Sequence, residues 1–213
     1  MKLIVTRPEH DVTTRYISAW AGEVITFAQQ RGVEVVDLIR NKASRRELEG
    51  RIKKLFPKLV FLNGHGSADS VAGHDNEVLI KAEENHDLLE GKIVYALSCD
   101  SGKKLGQAVA EKKRAAYIGY ADEFIFVADR NFLSKPLEDP NARPFMEASN
   151  QVMISILKRH DARESSTRSK NIFESHRRRL LSSQADPDSL QAAQFLWWNM
   201  RNQVCLGNVS DKI

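Results

Sequence analysis

Five short apolar runs punctuate the chain up to Tyr120, and each is followed by a stretch of different periodicity. "KLIVT" (Lys2–Thr6), "VEVVDLI" (Val33–Ile39), "LVFLN" (Leu59–Asn63), "KIVYALS" (Lys92–Ser98) and "AAYIGY" (Ala115–Tyr120) are rich in β-branched and aromatic residues. The most apolar of them scarcely alternate with polar residues, so both faces of such strands must be covered, as in parallel sheets. After the first run, Tyr16, Ile17, Trp20, Ala21, Val24, Ile25 and Phe27 recur at helical spacing, and Gly32 stands where a C-cap belongs. Ser44, with Glu47 three residues on, marks the start of a helix over "RRELEGRIKKLF" that Pro57 ends. Asp100 or Ser101 is expected to open another over "GKKLGQAVAEKKR", and "FIFVA" (124–128) reads as a sixth, short strand. The segment 66–87 reads as irregular. Strand–helix alternation of this kind predicts an α/β fold, a three-layer α/β/α arrangement around a mostly parallel central sheet.

Beyond that point the pattern changes. "DPNARPFMEASNQVMISILKRH" enters a helix through turn residues, a second helix is expected over Ser165–Ser182, and a third is capped near Asp188. "QVCLG" (Gln203–Gly207) reads as a closing strand. With 213 residues, the expectation is one domain over 1–213, with a mainly helical C-terminal third (about 140–213) packed on the same sheet. The net charge of +4 is made of mixed charges along most of the chain. The basic run from Lys158 to Leu180 is read as the solvated face of a helix, so nucleic acid is not the expected partner. Two cysteines exclude a disulfide scaffold. No apolar run approaches the roughly 18 residues of a membrane span, so no membrane association is expected. The N-terminal run is too short for a signal peptide, which leads to an expected cytoplasmic setting with reduced thiols.

Two strand ends carry chemistry. "LVFLN" runs into Gly64-His65-Gly66-Ser67, and "KIVYALS" runs into Cys99-Asp100-Ser101-Gly102. If these strands are neighbours, His65 and Cys99 face each other across the crevice at the carboxyl edge of the sheet, the usual ligand edge of an open α/β fold. A thiol beside an imidazole suits nucleophilic catalysis. A helix start just after Cys99 would favour its thiolate, and the backbone N–H groups of Gly66 and Cys99 would stabilise an oxyanion.

A strand ending in His-Gly, followed by a strand ending in Ser-Cys-x-Ser-Gly, resembles the caspase-like cysteine peptidases: metacaspases, gingipain-type peptidases and CHAT-type proteases. In those families the first motif carries the catalytic histidine and the second the nucleophilic cysteine, which corresponds here to His65 and Cys99. "LGQAVAEKKRAAYIGY", "PFMEASNQVMISIL" and "FLWWNMRNQVCLGN" look like the elements that follow. The resemblance implies a caspase-like fold and a cysteine endopeptidase for limited proteolysis of a protein or peptide substrate; whether it is born active, cuts itself or awaits an activating partner stays open. Metacaspases carry an acidic residue two positions before the cysteine to bind a basic P1 side chain. Leu97 stands there in this chain. The loops that line the S1 pocket in such proteins offer Glu9 and Asp11 after the first strand, and Asp122 and Glu123 after "YIGY", so a basic P1 residue is expected. Calcium dependence occurs in some relatives, but no acidic cluster here demands it, and neither a metal nor an organic cofactor is expected.

Other chemistries lack their residues. A phosphatase loop requires Arg six positions after the cysteine, where Leu105 stands. There is no Cys-x-x-Cys, no G-x-S-x-G and no P-loop lysine. His74 with His65 and Asp75 matches no zinc spacing and is read as bordering the site. Cys205, in a strand, is read as inert. The rival from another class is a catalytically silent module of the same fold that binds a protein or nucleic-acid partner through its basic C-terminal third.

Overall fold

The computed structural model describes residues 1–111, 114–182 and 187–213. Six strands form the central sheet in the order β2-β1-β3-β6-β7-β8. They are β1 (Lys2–Arg7), β2 (Glu34–Ile39), β3 (Leu59–Asn63), β6 (Ile93–Leu97), β7 (Ala116–Tyr120) and β8 (Gln203–Gly207). All neighbours are parallel except β7 and β8. A small antiparallel hairpin, β4 (Ser70–Ala72) and β5 (Val78–Lys81), rises from the segment that the sequence reads as irregular. Its strands are too short for periodicity to reveal.

The near-continuous apolar runs have the expected cause. Leu3, Val5, Leu59, Phe61, Ile93, Tyr95 and Leu97 face one side of the sheet, against α1 (Val12–Gln30) and α4 (Arg143–Leu157). Ile4, Val60, Leu62, Val94 and Ala96 face the other, against α2 (Arg45–Leu55), α3 (Lys104–Ala110) and the hairpin. Adjacent residues point to opposite faces and both faces are buried. The fold is therefore α/β with a mostly parallel sheet between helical layers. α5 (Ala162–Ser182) and α6 (Pro187–Asn202) add a smaller core around Phe145, Phe173 and Leu196, and α5 also packs against β7 and β8. Among the described residues, no helix is long and apolar enough to cross a membrane.

Helix ends follow their local chemistry. Asp11 caps α1: its side chain accepts from Thr14 N–H, while the Thr14 hydroxyl receives the Asp11 N–H. Ser44 caps α2 through the Glu47 N–H. Two expectations are corrected. "FIFVA" is not a strand: Phe124 and Phe126 pack into the core, and the backbone of Ile125 pairs with a side chain, Asn199, whose amide accepts its N–H (3.0 Å) and donates to its carbonyl (2.7 Å). Neither Asp100 nor Ser101 caps α3, which begins five residues past Cys99 with Lys103 before it and no side-chain cap. The predicted continuation of that helix into 112–113 lies outside the described residues.

Candidate active site

The carboxyl ends of β1, β3, β6 and β7 converge on one edge. β3 and β6 are neighbours, with Asn63 opposite Leu97 in the parallel register. His65 and Cys99 each follow two residues beyond that last pair, so they leave the sheet at the same height. Below them, the Thr6 hydroxyl accepts the Asn63 N–H (2.9 Å), and the Asn63 amide donates to the Thr6 carbonyl (2.8 Å), all buried. This clamp fixes the end of β3 against β1.

The two glycines around His65 answer to close contacts. Gly64 has φ +151°, and a Cβ there would lie 1.8 Å from the Ala72 carbonyl oxygen. A Cβ on Gly66 would lie 2.2 Å from the Cys99 carbonyl oxygen and 3.0 Å from its nitrogen. The histidine loop thus touches the cysteine loop backbone to backbone, an approach only glycine permits. The Cys99 turn is braced from inside: the Ser98 hydroxyl donates to Ser101 Oγ (2.8 Å), and the Tyr117 hydroxyl donates to the same oxygen (2.9 Å).

His65 is joined to Asp11. Its Nε2 lies 2.5 Å from Asp11 Oδ2. Asp11 Oδ1 is held by the Thr14 N–H (2.7 Å) and hydroxyl (2.8 Å), so the helix cap aims the other oxygen at the imidazole. Partial burial raises the pKa of this carboxyl, but the bonds from His65 and Thr14 outweigh burial and hold it at about 2. A His65 ring that donates from Nε2 to this carboxylate carries its free lone pair on Nδ1. The sequence places Asp11 among the S1 carboxylates. The structure directs it to His65.

Cys99 is a half-buried free thiol. Burial pushes its pKa up, the Phe124 N–H opposes this, and Glu123, Asp100 and Asp122 add to the rise. The expected thiolate-favouring helix terminus is absent because a turn separates Cys99 from α3, so desolvation and nearby carboxylates prevail. Cys205 is pushed up to about 11, chiefly by burial.

The remaining S1 candidates separate into two sets. Glu9 is engaged: Arg40 donates to it at 2.6 Å and the Ser18 hydroxyl at 3.1 Å. Asp122 and Glu123 stand in the loop over Cys99. The Asp122 carbonyl accepts the Asp100 N–H (3.1 Å), and the Glu123 carbonyl accepts the Trp198 indole N–H (3.0 Å). Asp100, which the sequence reading offered only as a helix cap, joins them. Its backbone has φ +59° and its carboxylate pairs with Lys103 at 2.6 Å.

No protein-family model and no curated protein matches this sequence.

His74 borders the site as expected, its ring 5.4 Å from that of His10. His10 itself had no signal in spacing. It is one residue from a helix cap, and only the meeting of the β1 and β3 loops brings its ring 5.8 Å from that of His65.

Proposed function

We propose that the protein is a cysteine endopeptidase of the kind its motifs resemble, with Cys99 as nucleophile, His65 as proton carrier and Asp11 as the residue that orients His65. The observation that carries this reading is the departure of His65 and Cys99 from register-matched neighbouring strands, with Gly66 pressed against the Cys99 backbone. The resting thiol is protonated. On attack its proton passes to His65 Nδ1 as the sulfur bonds to the scissile carbonyl carbon, and the Gly66 and Cys99 N–H groups receive the oxyanion. When the tetrahedral species collapses, the C–N bond breaks and the same proton leaves on the amine. Water, deprotonated by His65, then cleaves the thioester and returns the proton to the sulfur. Throughout, Asp11 holds the Nε2 proton and stabilises the imidazolium.

The carboxylates of Asp122, Glu123 and Asp100 raise the Cys99 thiol and offer negative charge to a cationic P1 side chain. Arg or Lys at P1 follows, in limited proteolysis of a protein or peptide substrate. A protonated resting thiol suits an enzyme that a partner activates.

The test is a fluorogenic peptide set varied at P1, run on wild type and Cys99→Ala. Turnover by wild type alone, strongest after Arg or Lys, is expected. Equal turnover by both proteins rejects the nucleophile. Charge reversal at Asp122 that leaves P1 preference unchanged rejects the specificity assignment.

A further inference from the structure

Three imidazoles and a carboxylate meet where the loops after β1 and β3 touch. Two sets of donor atoms here lie within 4.8 Å of one another: His10, Asp11 and His65, and His10, His74 and Asp75. Protonation distinguishes them. His74 Nδ1 accepts the Glu9 backbone N–H at 3.2 Å, so the proton of a neutral His74 sits on Nε2. That is the nitrogen nearer Asp75, at 3.9 Å, and a cation on it would drive the proton to Nδ1, against the Glu9 N–H. Asp75 is also 82% exposed, and its contact with His74 is that long one. The second set is therefore poorly prepared.

The first set is better prepared. Asp11 Oδ1 is fixed in the α1 cap, which leaves Oδ2 as the outward oxygen, 2.5 Å from His65 Nε2 and 3.7 Å from His10 Nε2. His10 has an unsatisfied ring. Its Nδ1 is sealed in the protein with no partner, and its Nε2 makes only a long 3.3 Å contact to Asn76 Oδ1. Such an imidazole lacks the strong bond that buried polar groups normally keep. Around zinc, ligand bonds of roughly 2.0–2.2 Å place neighbouring donors about 3.3 Å apart. The 3.7 Å pair is close to this. The 2.5 Å pair must open, which the His65 side chain, over a third exposed, allows while Asp11 stays in its cap.

We propose that His10 Nε2, Asp11 Oδ2 and His65 Nε2 form a binding site for one divalent first-row transition cation, zinc being the representative. Asn76 Oδ1 and water complete the coordination. Two imidazoles with one carboxylate suit such ions, whereas magnesium and calcium prefer all-oxygen sets. Occupancy has a defined chemical effect. A cation on Nε2 leaves the His65 proton on Nδ1, so Nδ1 can no longer accept one. Insofar as the peptidase reading holds, the ion is an off-switch that acts on the base without touching the nucleophile.

Zinc chloride titrated into the purified chain by calorimetry tests the site. The expected result is one ion per chain, weakened at least about tenfold by His10→Ala and by Asp11→Asn, as loss of a ligand or its charge requires. Asp11→Asn keeps the helix cap, so its loss is not misfolding. Cys99→Ala and His74→Ala are expected to bind within about threefold of wild type. Excess magnesium should not displace the ion. In the imidazole ¹⁵N spectrum, zinc should move His65 to the form protonated at Nδ1. Absence of stoichiometric binding overturns the proposal. So does binding that Cys99→Ala abolishes, or a loss in His74→Ala equal to that in His10→Ala. These readouts need no peptidase activity, so a failed peptide screen leaves the result standing. An active enzyme adds one more expectation, that zinc suppresses its turnover.

Discussion

Asp11 serves two structures with its two oxygens. One closes the N-terminus of α1 and the other holds His65. Asparagine caps helices about as well as aspartate, so Asp11→Asn separates the two roles. Its amide can donate to Nε2 and so move the His65 proton to Nδ1, where it blocks acceptance from the thiol. The expected outcome is a fall in kcat of about 10²–10⁴-fold, the usual worth of a positioned acid–base group, with KM and melting temperature nearly unchanged. A rise in KM at constant kcat would instead make Asp11 a substrate contact. The second prediction at this scale concerns Cys99. Burial and three carboxylates disfavour its thiolate. Because its pKa is raised, the thiolate fraction at mildly alkaline pH is below that of a free thiol and recovers only as pH passes the raised value. The iodoacetamide rate at Cys99, followed by peptide mapping against pH, should therefore have its midpoint above that of a small-molecule thiol. A midpoint below it would mean that the His65 pair outweighs desolvation.

Between elements, contact distance decides what each glycine tolerates. Gly66→Ala drives a methyl into the Cys99 carbonyl, and the Cys99 loop must move. The expected result is lost turnover with a lower melting temperature, while Gly50→Ala, in the exposed middle of α2 with nothing within 4 Å, should stabilise the fold by about 0.5–1 kcal/mol. Thermal denaturation of both variants checks the pair. The difference also marks what the sequence made legible. The strand "LVFLN" and the capping serine of α2 are legible because burial on two faces and cap chemistry leave local signals. The Asp11–His65 bond was not, because the partners sit 54 positions apart, and only the β1–β3 pairing brings their loops together. "FIFVA" misled for a related reason. Its apolar residues are half-buried against the core, but its backbone partner is the side chain of Asn199, which no periodicity records. The hairpin of β4 and β5 escaped because three or four residues a strand carry too little pattern.

Across the whole molecule, the loop from Ala121 to Ala142 bears Asp122 and Glu123 and spans from the sheet edge to the helical layer, so its firmness determines whether the crevice has a wall or a lid. It is pinned in three places. Trp198 of α6 holds the Glu123 carbonyl, Asn199 holds Ile125 at both its N–H and its carbonyl, and Asp139 anchors the far end. Asp139 is fully buried and accepts four bonds: from the Tyr16 hydroxyl (2.8 Å) and from the N–H groups of Asp129 (2.8 Å), Asn141 (2.8 Å) and Ala142 (3.2 Å). It thereby ties the loop to α1, the helix that begins at the His65 partner. A wall follows from this, and the carboxylates over Cys99 stay in place without substrate. Asp139→Ala strands four donors, at least one of them deep in the core, each costing about 1–3 kcal/mol when left unpaired. The variant should lose on the order of 3 kcal/mol or more in urea unfolding, and trypsin should cut first at Arg130, before the sheet unfolds, since Pro136 protects Lys135. Because the same loop supplies the Phe124 N–H and the charges that set the Cys99 thiol, the alkylation midpoint of Cys99 should shift in the folded variant as well. If the loop resists trypsin and the midpoint stays where it was, Asp139 serves only α1 and α4, and the wall is held by α6 alone.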